Sequence, residues 1–342
     1  MSGEASTQFQ IANFTDLVSL SKQYVEVDAM DMVQDLKELK SLLIVKNIPF
    51  NSGNKKQYTS YSGQTYASTK TESSKAAKKS FVQGYTKTLT AVRYAAELND
   101  SWEARNLAKD SQIIQKLESL GEFIPQRMAM DLTCIFSYCT ASSYTDMDGN
   151  TITTTVADGN PLVFSAHTLR GDSSTTFSNV IPSNPQFSAA ALNVAKKHGR
   201  TNTYSQFGEV RMIEFDTIVT TADESTVQRV QVLNRSTTDP NQNNSAVPNT
   251  FKGQFRHVVL PRLSQTALGA WDPDKEKYWG LVATTGSVGK RWQAYLDIYE
   301  GATVKAQDED VSTDDRTLGV RGTWIAGAVG AEGFLWSTGL GA

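Results

Sequence analysis

The feature that most constrains the fold of this chain is a long stretch with helical spacing, from Leu98 to Tyr144. Its apolar residues recur every three or four positions and so form one stripe along a helix. They are Trp102, Ile113, Leu117, Leu120, Ile124, Met128, Leu132, Ile135, Phe136 and Cys139. At about 1.5 Å per residue the predicted helix is roughly 65 Å long, which exceeds the width of a small domain. We expect a bend at Pro125, because a proline inside a helix removes one backbone hydrogen bond.

The segment before this helix, residues 46–93, is strongly basic. It carries nine cations and the single acid Glu72, which gives +8; since the whole chain has a net charge of −3, the remainder sums to −11. Alternation from Tyr85 to Ala91 predicts a strand, and the small, polar stretch QTYASTKTESSKAAKKS predicts a loop. A two-stranded hairpin has too little apolar surface to be stable alone. We therefore predict that it lies on an acidic surface of another subunit, with nucleic-acid binding through its interleaved tyrosines as an alternative.

The rest of the chain alternates between short helical and strand-like segments. Thr15 and Asp16 are candidate helix N-caps, and the turns Asp148-Gly149 and Asp158-Gly159 flank a predicted hairpin strand, TITTTV. Helices are predicted at Phe187–Lys197, ended by Gly199, and at Glu224–Asn234; strands are predicted at Val210–Val219, FRHVVL, Lys277–Val282, Ala294–Thr303 and Val320–Ala328. The pattern predicts an α+β fold.

Residues with the chemistry for catalysis or metal binding are few. The histidines, His167, His198 and His257, show no metal-binding spacing, so each is predicted to have a structural or surface role. Cys134 and Cys139 lie on nearly opposite sides of the predicted helix, which predicts two buried thiols and no disulfide between them. We predict no enzyme, cofactor or metal site.

The sequence also bears on location. The N-terminal residues, MSGEASTQFQIANF, lack a basic start and an apolar core, so no signal peptide is expected. No apolar run approaches the roughly 20 residues of a membrane span. We expect a protein made and folded in the cytoplasm, where the tripeptide Arg170-Gly171-Asp172 would have no integrin to engage.

Over residues 98–340 the sequence resembles a known family. The block HTLRGDSSTTFSNVIPSNPQFSAAALNVAKKHG at 167–199 is similar to a segment of tailed-phage major capsid proteins in which a loop with His and Gly leads through Ser-Asn into a helix. Three later pieces are similar in order and spacing to the phage Mu-type head subunit. They are EFDTIVTTADESTVQRVQVLNR at 214–235, NTFKGQFRHVVLPRL at 249–263 and KYWGLV at 277–282. The chain departs from the family at Val219-Thr220-Thr221, where members carry a Val-Pro-Pro-like turn.

The resemblance implies an α+β fold of the Hong Kong 97 (HK97) type. Its parts would be an N-terminal arm with a helix (1–45), an extended loop or E-loop (46–93), a peripheral or P domain with the long spine helix (94–159 and 291–342), and a mixed α/β axial or A domain (160–290). It implies a structural protein that forms hexamers and pentamers and assembles, in the cytoplasm of a host bacterium, into the icosahedral head of a tailed phage. Implied partners are copies of itself, portal, scaffolding and decoration proteins, and enclosed double-stranded DNA without sequence-specific binding; no membrane is expected.

In that family the E-loop lies across the P domain of a neighbouring subunit, which gives a hypothesis for the basic segment. The cations expected to face an acidic patch on another copy are Lys55, Lys56, Lys70, Lys75, Lys78 and Lys79. The acids expected to receive them are Asp308, Glu309, Asp310, Asp314 and Asp315. Two alternatives stay open: an encapsulin-like nanocompartment of the same fold, and a secreted Ser/Thr-rich surface adhesin.

Overall fold

The structure is a computed structural model that describes residues 14–23, 25, 33–49, 53–63, 67–79, 81–100, 110–171, 174–204, 208–238, 248–286, 291–307 and 316–341. The helices are α1 (Phe14–Lys22), α2 (Gln34–Leu42), α3 (Asp110–Ser137), α4 (Ala189–Thr201) and α5 (Glu224–Arg235), with short 3₁₀ turns at Pro261–Ser264 and Pro273–Lys275. The strands are β1 (Ile44–Asn47), β2 (Lys55–Gly63), β3 (Phe81–Thr90), β4 (Val92–Asp100), β5 (Ser143–Thr145), β6 (Thr151–Thr153), β7 (His167–Thr168), β8 (Thr176–Phe177), β9 (Thr217–Thr220), β10 (Arg256–Val259), β11 (Trp279–Val282), β12 (Ala294–Gln307), β13 (Arg316–Ala328) and β14 (Phe334–Ser337).

The first sheet has the order β1-β12-β13-β4. Strand β1 runs parallel to β12, while β12, β13 and β4 are antiparallel neighbours. Helix α3 lies on this sheet and buries the stripe that the sequence predicts, including Leu117, Leu120 and Met128, against strand residues such as Trp324. The α2 leucines join the same core, so residues 34–47 fold onto the body of their own chain.

The second sheet has the order β10-β9-β11-β14 and is covered on both faces. Helices α4 and α5 pack on one face, against a cluster that includes Trp279, Leu281 and Leu335. The other face meets α3, where Phe136 packs at a ring-centroid distance of 6.0 Å from Phe334. Burial on both faces explains why β9, β11 and β14 are buried along their whole length.

The long helix is shorter than the sequence predicts. Leu98 lies in β4, pairs with Leu318 of β13, and turns toward the core together with Tyr94 and Ala96. Alanine and glutamate in this segment favour a helix locally, but pairing with a distant strand overrides that preference. Helix α3 begins at Asp110, continues through Pro125 and ends at Ser137. Trp102 lies outside the described residues.

Other boundaries also differ. Gly199 does not end α4 but lies buried inside it, where a Cβ atom would come 2.2 Å from the Phe215 ring. Close packing therefore explains this glycine. The strand predicted from Val210 begins only at Thr217, and Thr15 and Asp16 lie within the first turn of α1 instead of capping it.

Several other helices and strands agree with the sequence-based expectations, whereas β7, β8 and β14 were not predicted. Helix α5 and strands β10 to β13 fall where the pattern places them. Strands β5 and β6 form the predicted hairpin, and the turn between them contains Gly149 at a φ of 81°. Among the described residues no helix is long and apolar enough to cross a membrane.

Candidate functional site: the basic arm and its root

The candidate site is a hairpin that we call the arm, formed by β2, β3 and the described segment between them, 67–79. Strands β2 and β3 pair in antiparallel fashion from Lys55 opposite Thr90 to Gly63 opposite Phe81, with an irregularity between Thr59 and Tyr61. At the open end, the backbone N–H of Ala91 donates to the carbonyl of Asn54 at 2.7 Å. The arm therefore leaves the body as a two-stranded hairpin, as predicted for the basic segment.

On β2, a buried carboxylate fixes the beginning of the arm, which we call the root. The Lys56 ammonium forms an ion pair with Asp297 of β12 at 2.5 Å, and the Tyr58 hydroxyl donates to the same carboxylate oxygen. Asp297 is 0% exposed, and the Tyr58 ring lies 4.4 Å from the Tyr295 ring between centroids. Burial, together with the bond to Asp297, raises the pKa of Tyr58, so its hydroxyl stays a donor. Both donors to this buried carboxylate come from the arm and reach one oxygen, Oδ2, while Oδ1 is buried without a hydrogen-bond partner among the described residues.

On β3, the root is held by a lysine that meets carbonyl groups. The Lys87 ammonium donates to the carbonyl of Thr155 and, at 3.2 Å, to that of Ala328. Burial lowers the pKa of Lys87 to about 8. Leu89, two residues further on, packs over Gly327 of β13, where a Cβ atom would lie 3.1 Å from a leucine methyl. The root thus spans β12, β13 and the loop after β6.

Farther out, β3 still contacts its own chain. The Tyr85 hydroxyl lies 3.2 Å from the Thr168 hydroxyl, and the Arg170 guanidinium donates to the Gly84 carbonyl at 2.9 Å. The arginine of the Arg-Gly-Asp tripeptide is thus engaged within its own chain. Asp172 lies outside the described residues.

Beyond these contacts, the arm carries exposed charge. Lys70, Lys75, Lys78 and Lys79 are all exposed, and the only acid between them in the sequence is Glu72, also exposed. Lys79 donates to the Ser68 hydroxyl at 2.7 Å. Within the part of the chain that the structure describes, none of these four lysines has an ion-pair partner. We call residues 67–79 the arm tip.

The predicted site residues therefore divide into two groups. Lys56 is engaged at the root by Asp297, whereas Lys55 and the four tip lysines are exposed. The predicted acids Asp308, Glu309, Asp310, Asp314 and Asp315, between β12 and β13, lie outside the described residues.

Sequence reasoning missed Asp297, Tyr58 and Lys87 as root residues. One signal was available, because Asp297 is a single acid within the apolar strand sequence AYLDIY, which indicates a buried and paired carboxylate.

The histidines and cysteines have the structural surroundings that the sequence predicts. His167 is buried and its Nδ1 lies 2.7 Å from Asp158, while His198 and His257 contact the Ser178 carbonyl and the Thr220 hydroxyl. Burial lowers the pKa of His257 to about 4.

Both cysteines are buried as free thiols, although Cys139 lies just past the end of α3. The described residues contain no group of three or more His, Cys, Asp or Glu that could hold a metal ion.

A cavity lies beneath the arm, next to a polar network that ties α3 to the β5–β6 hairpin. It has a volume of about 280 Å³ and lies between β3, α3, β13 and the hairpin β5–β6. Beside it, Arg127 forms ion pairs with Asp131 at 3.1 Å and with Asp146 at 2.9 Å, and its guanidinium lies 4.6 Å from the centre of the Tyr94 ring. Asp146 also accepts the backbone N–H of Asn150. Residues 146–150 therefore form a hairpin turn tied to α3, in agreement with the turn predicted at Asp148-Gly149.

Comparison with known proteins gives likeness in structure alone. No protein-family model and no curated protein matches the chain. A solved chain from Mycobacterium phage Patience matches with a TM-score of 0.50 at 12% identity, covering 94% of this chain and 87% of that one. One from Gordonia phage Cozz matches with a TM-score of 0.50 at 10% identity, covering 87% and 84%. The capsid structure of Cyanophage P-SCSP1u gives 0.49 at 10% identity, covering 86% and 85%.

At these identities the first two matches show a shared fold. The chain has a mixed α/β fold that is also found in solved structures from bacteriophages. The likeness extends over 87% and 94% of this chain and is therefore not limited to one supersecondary unit.

Proposed function

We propose that this chain is the major capsid protein of a tailed bacteriophage, with an HK97-type fold closest in motif order to the phage Mu-type head subunit. Many copies assemble as hexamers and pentamers into an icosahedral shell around double-stranded DNA, in the cytoplasm of the host bacterium. The motif order over residues 98–340 and the fold shared with phage structures support this proposal.

One observation carries the proposal: the arm has a root built into its own body and a cationic tip without an ion-pair partner among the described residues. A hairpin with few apolar residues needs a surface to lie on. The cations of the root are already engaged within their own chain, Lys56 by Asp297 and Lys87 by backbone carbonyls. The part of the arm left to contact another surface is therefore the tip. A second copy of the chain supplies it in a capsid.

The proposed division of labour follows the HK97 pattern. Residues 1–45 serve as the N-terminal arm, 46–93 as the E-loop, 94–159 with 291–342 as the P domain, and 160–290 as the A domain. Helix α3 is then the spine of the P domain. Strands β9, β10 and β11 belong to the A domain, and β14, from the C-terminal part of the P-domain range, completes their sheet. This sheet lies toward the centre of each hexamer or pentamer.

We further propose that Lys55 and the tip lysines face the acids of the 308–315 loop on a neighbouring copy. Exposed ion pairs contribute only about 0–1 kcal/mol each. They would therefore set the register between subunits, while buried apolar area holds the shell together. Reversing all five acids to lysine tests this pairing: assembly should weaken and lose its salt dependence. Unchanged assembly with unchanged salt dependence would exclude it.

The proposed function is tested by negative-stain electron microscopy of the purified protein, alone and with phage-lysate partners such as scaffolding and portal proteins. Closed shells or hexameric rings are the expected result. A monodisperse monomer under every condition would contradict the proposal.

The two alternatives make different demands. An encapsulin-like compartment would form shells that contain an enzyme cargo and no DNA, so nucleic-acid content separates it from a phage head. A secreted adhesin would use the Arg-Gly-Asp tripeptide, whose Arg170 is exposed but donates to the Gly84 carbonyl of the arm, so a bound partner would have to displace this contact. We propose no enzymatic activity and no cofactor.

A further inference from the structure

A second basic surface lies far from the arm in the sequence, on the outer side of the second sheet. It consists of five exposed or half-exposed cations on α4, at the end of α5 and on the loop before β10, and we call it the basic patch. Its members are Lys196, Lys197, Arg200, Arg235 and Lys252. Because the chain outside residues 46–93 sums to −11, a concentration of cations on this body is an exception that calls for an explanation.

The fold brings these cations together. With 3.6 residues per turn, positions 196, 197 and 200 of α4 fall within an arc of about 100°. The Lys196 ammonium lies 5.4 Å from the centre of the Phe251 ring. Lys252 directly follows Phe251 in the sequence and so belongs to the same surface. At the end of α5, the Asn234 carbonyl accepts the backbone N–H of Gly253 at 3.0 Å, so Arg235 lies beside the same loop.

The centre of the patch is concave. A cavity of about 270 Å³ is lined by Lys196, Arg200, Glu214, Gln254 and neighbouring apolar residues. The Lys196 ammonium is oriented by the Gln254 side-chain oxygen at 2.9 Å and by the Phe255 ring, whose centre is 5.3 Å away. The patch therefore presents an oriented cation at an open hollow.

The charge at this hollow is not balanced by its surroundings. Glu214 is the one acid among the described residues that line it, and its pair with Arg200 at 3.1 Å is solvent-exposed and so contributes little. Burial lowers the pKa of Lys196, and the positive charge of Arg200 lowers it further. An anion between these two side chains would relieve their repulsion.

We propose that the basic patch binds phosphate groups of the nucleic-acid backbone, with the hollow between Lys196 and Arg200 as its central phosphate site. The inference rests on the proposed function for the source of the phosphates, which is the enclosed DNA. Spaced Lys and Arg side chains without groups placed to read base edges are typical of contacts to the backbone. An acidic protein partner would bury apolar groups at the centre of its interface, but here Lys196 covers the rings of Phe251 and Phe255.

The test is binding of a fluorescent duplex of about 24 base pairs to the full-length protein, followed by anisotropy over a range of salt concentrations. The double variant Lys196→Gln/Arg200→Gln should bind at least about tenfold more weakly at low salt. Its plot of log K against log salt should be flatter by about two, since about two phosphate contacts are lost. The charge-preserving variant Lys196→Arg/Arg200→Lys should bind within about threefold of the natural protein, which separates loss of charge from loss of folding.

A matched control places the same charge change on the arm tip, in Lys75→Gln/Lys78→Gln, and should bind within about twofold of the natural protein. Equal loss in both glutamine variants, loss in the arm variant alone, or loss in neither would overturn the inference. So would inorganic phosphate binding without duplex binding. Displacement of the duplex by oligoglutamate as readily as by unlabelled duplex would also overturn it, because the patch would then suit an acidic protein segment.

The same samples separate this inference from the proposed function. If the patch variant still assembles into shells but binds duplex normally, the inference fails and the capsid proposal stands. If the natural protein forms no shells, the capsid proposal fails, while a selective loss of duplex binding in the patch variant would still locate the phosphate site.

Discussion

The root and the tip of the arm carry the same kind of charge in opposite surroundings. At the root, Lys56 reaches a fully buried carboxylate and Lys87 reaches two backbone carbonyls. At the tip, Lys70, Lys75 and Lys78 are exposed and have no ion pair among the described residues. Because the root contacts are buried, breaking them lowers the free energy of unfolding by several kcal/mol. Because the tip is exposed, changing its charges has little effect on stability. The root therefore fixes where the arm points, and the tip remains available to a partner.

The largest expected effect comes from removing the cation at the root. Lys56→Met leaves the buried Asp297 carboxylate with Tyr58 as its remaining donor. Breaking one side of a buried ion pair costs several kcal/mol, so we expect a loss of about 3 kcal/mol in the free energy of unfolding, measured by urea denaturation. The neighbouring exposed lysine supplies the control: Lys55→Met should change stability by less than about 0.5 kcal/mol. Similar small losses in both variants would mean that the root is not held by this pair.

A smaller effect is expected from crowding the contact between the arm and β13. Gly327→Val places methyl groups against Leu89, whose side-chain carbons already lie 3.1 and 3.2 Å from the position of a Cβ atom. Overpacking of this kind typically costs about 1–3 kcal/mol. Gly319→Val, on the same strand, is the control, because the nearest atom to its Cβ is 3.4 Å away on the Glu97 side chain. If Leu89→Ala did not relieve the loss in Gly327→Val, crowding of the arm would not be its cause.

The pH dependence of stability gives a third test of the root. Burial lowers the pKa of Lys87 to about 8, from an ordinary value of 10.5. Between these values the unfolded chain binds a proton that the folded chain does not, so stability should rise as pH increases from about 8 to about 10.5. We expect a gain on the order of 1 kcal/mol, because the carbonyls of Thr155 and Ala328 favour the charged form. Thermal unfolding of Lys87→Met should lack this rise; an identical rise in both proteins would assign it to other groups.

The smallest effect on the isolated chain is expected at the tip. Lys75→Gln/Lys78→Gln should leave the free energy of unfolding within about 0.5 kcal/mol of the natural protein, because exposed charges contribute little to stability. The same variant should weaken assembly and reduce its salt dependence, which light scattering can follow. A tip variant that destabilises the monomer as much as Lys56→Met would remove the distinction between root and tip.

Local patterns predicted those parts of the molecule in which local preference and packing agree. The stripe through Leu117, Leu120 and Met128 is buried, and β3 of the arm lies where the alternation from Tyr85 to Ala91 places a strand. The segment at Leu98 was predicted wrongly because its partner strand, β13, lies more than 200 residues away. The link between Lys56 and Asp297 spans 241 residues. No local pattern indicates which acid a given lysine of the arm will meet.

The most direct measurement of the central claim is zero-length carbodiimide cross-linking of assemblies made from a mixture of ¹⁴N- and ¹⁵N-labelled copies, read by mass spectrometry. We predict that Lys56 gives no link to the 308–315 acids of any copy, because the buried Asp297 of its own chain holds its ammonium. Lys75, Lys78 and Lys79 should link to acids of the 308–315 loop in peptides that combine both isotopes. If tip lysines linked only to acids of the same isotopic copy, the arm would fold back on its own chain, and its role between subunits would be contradicted.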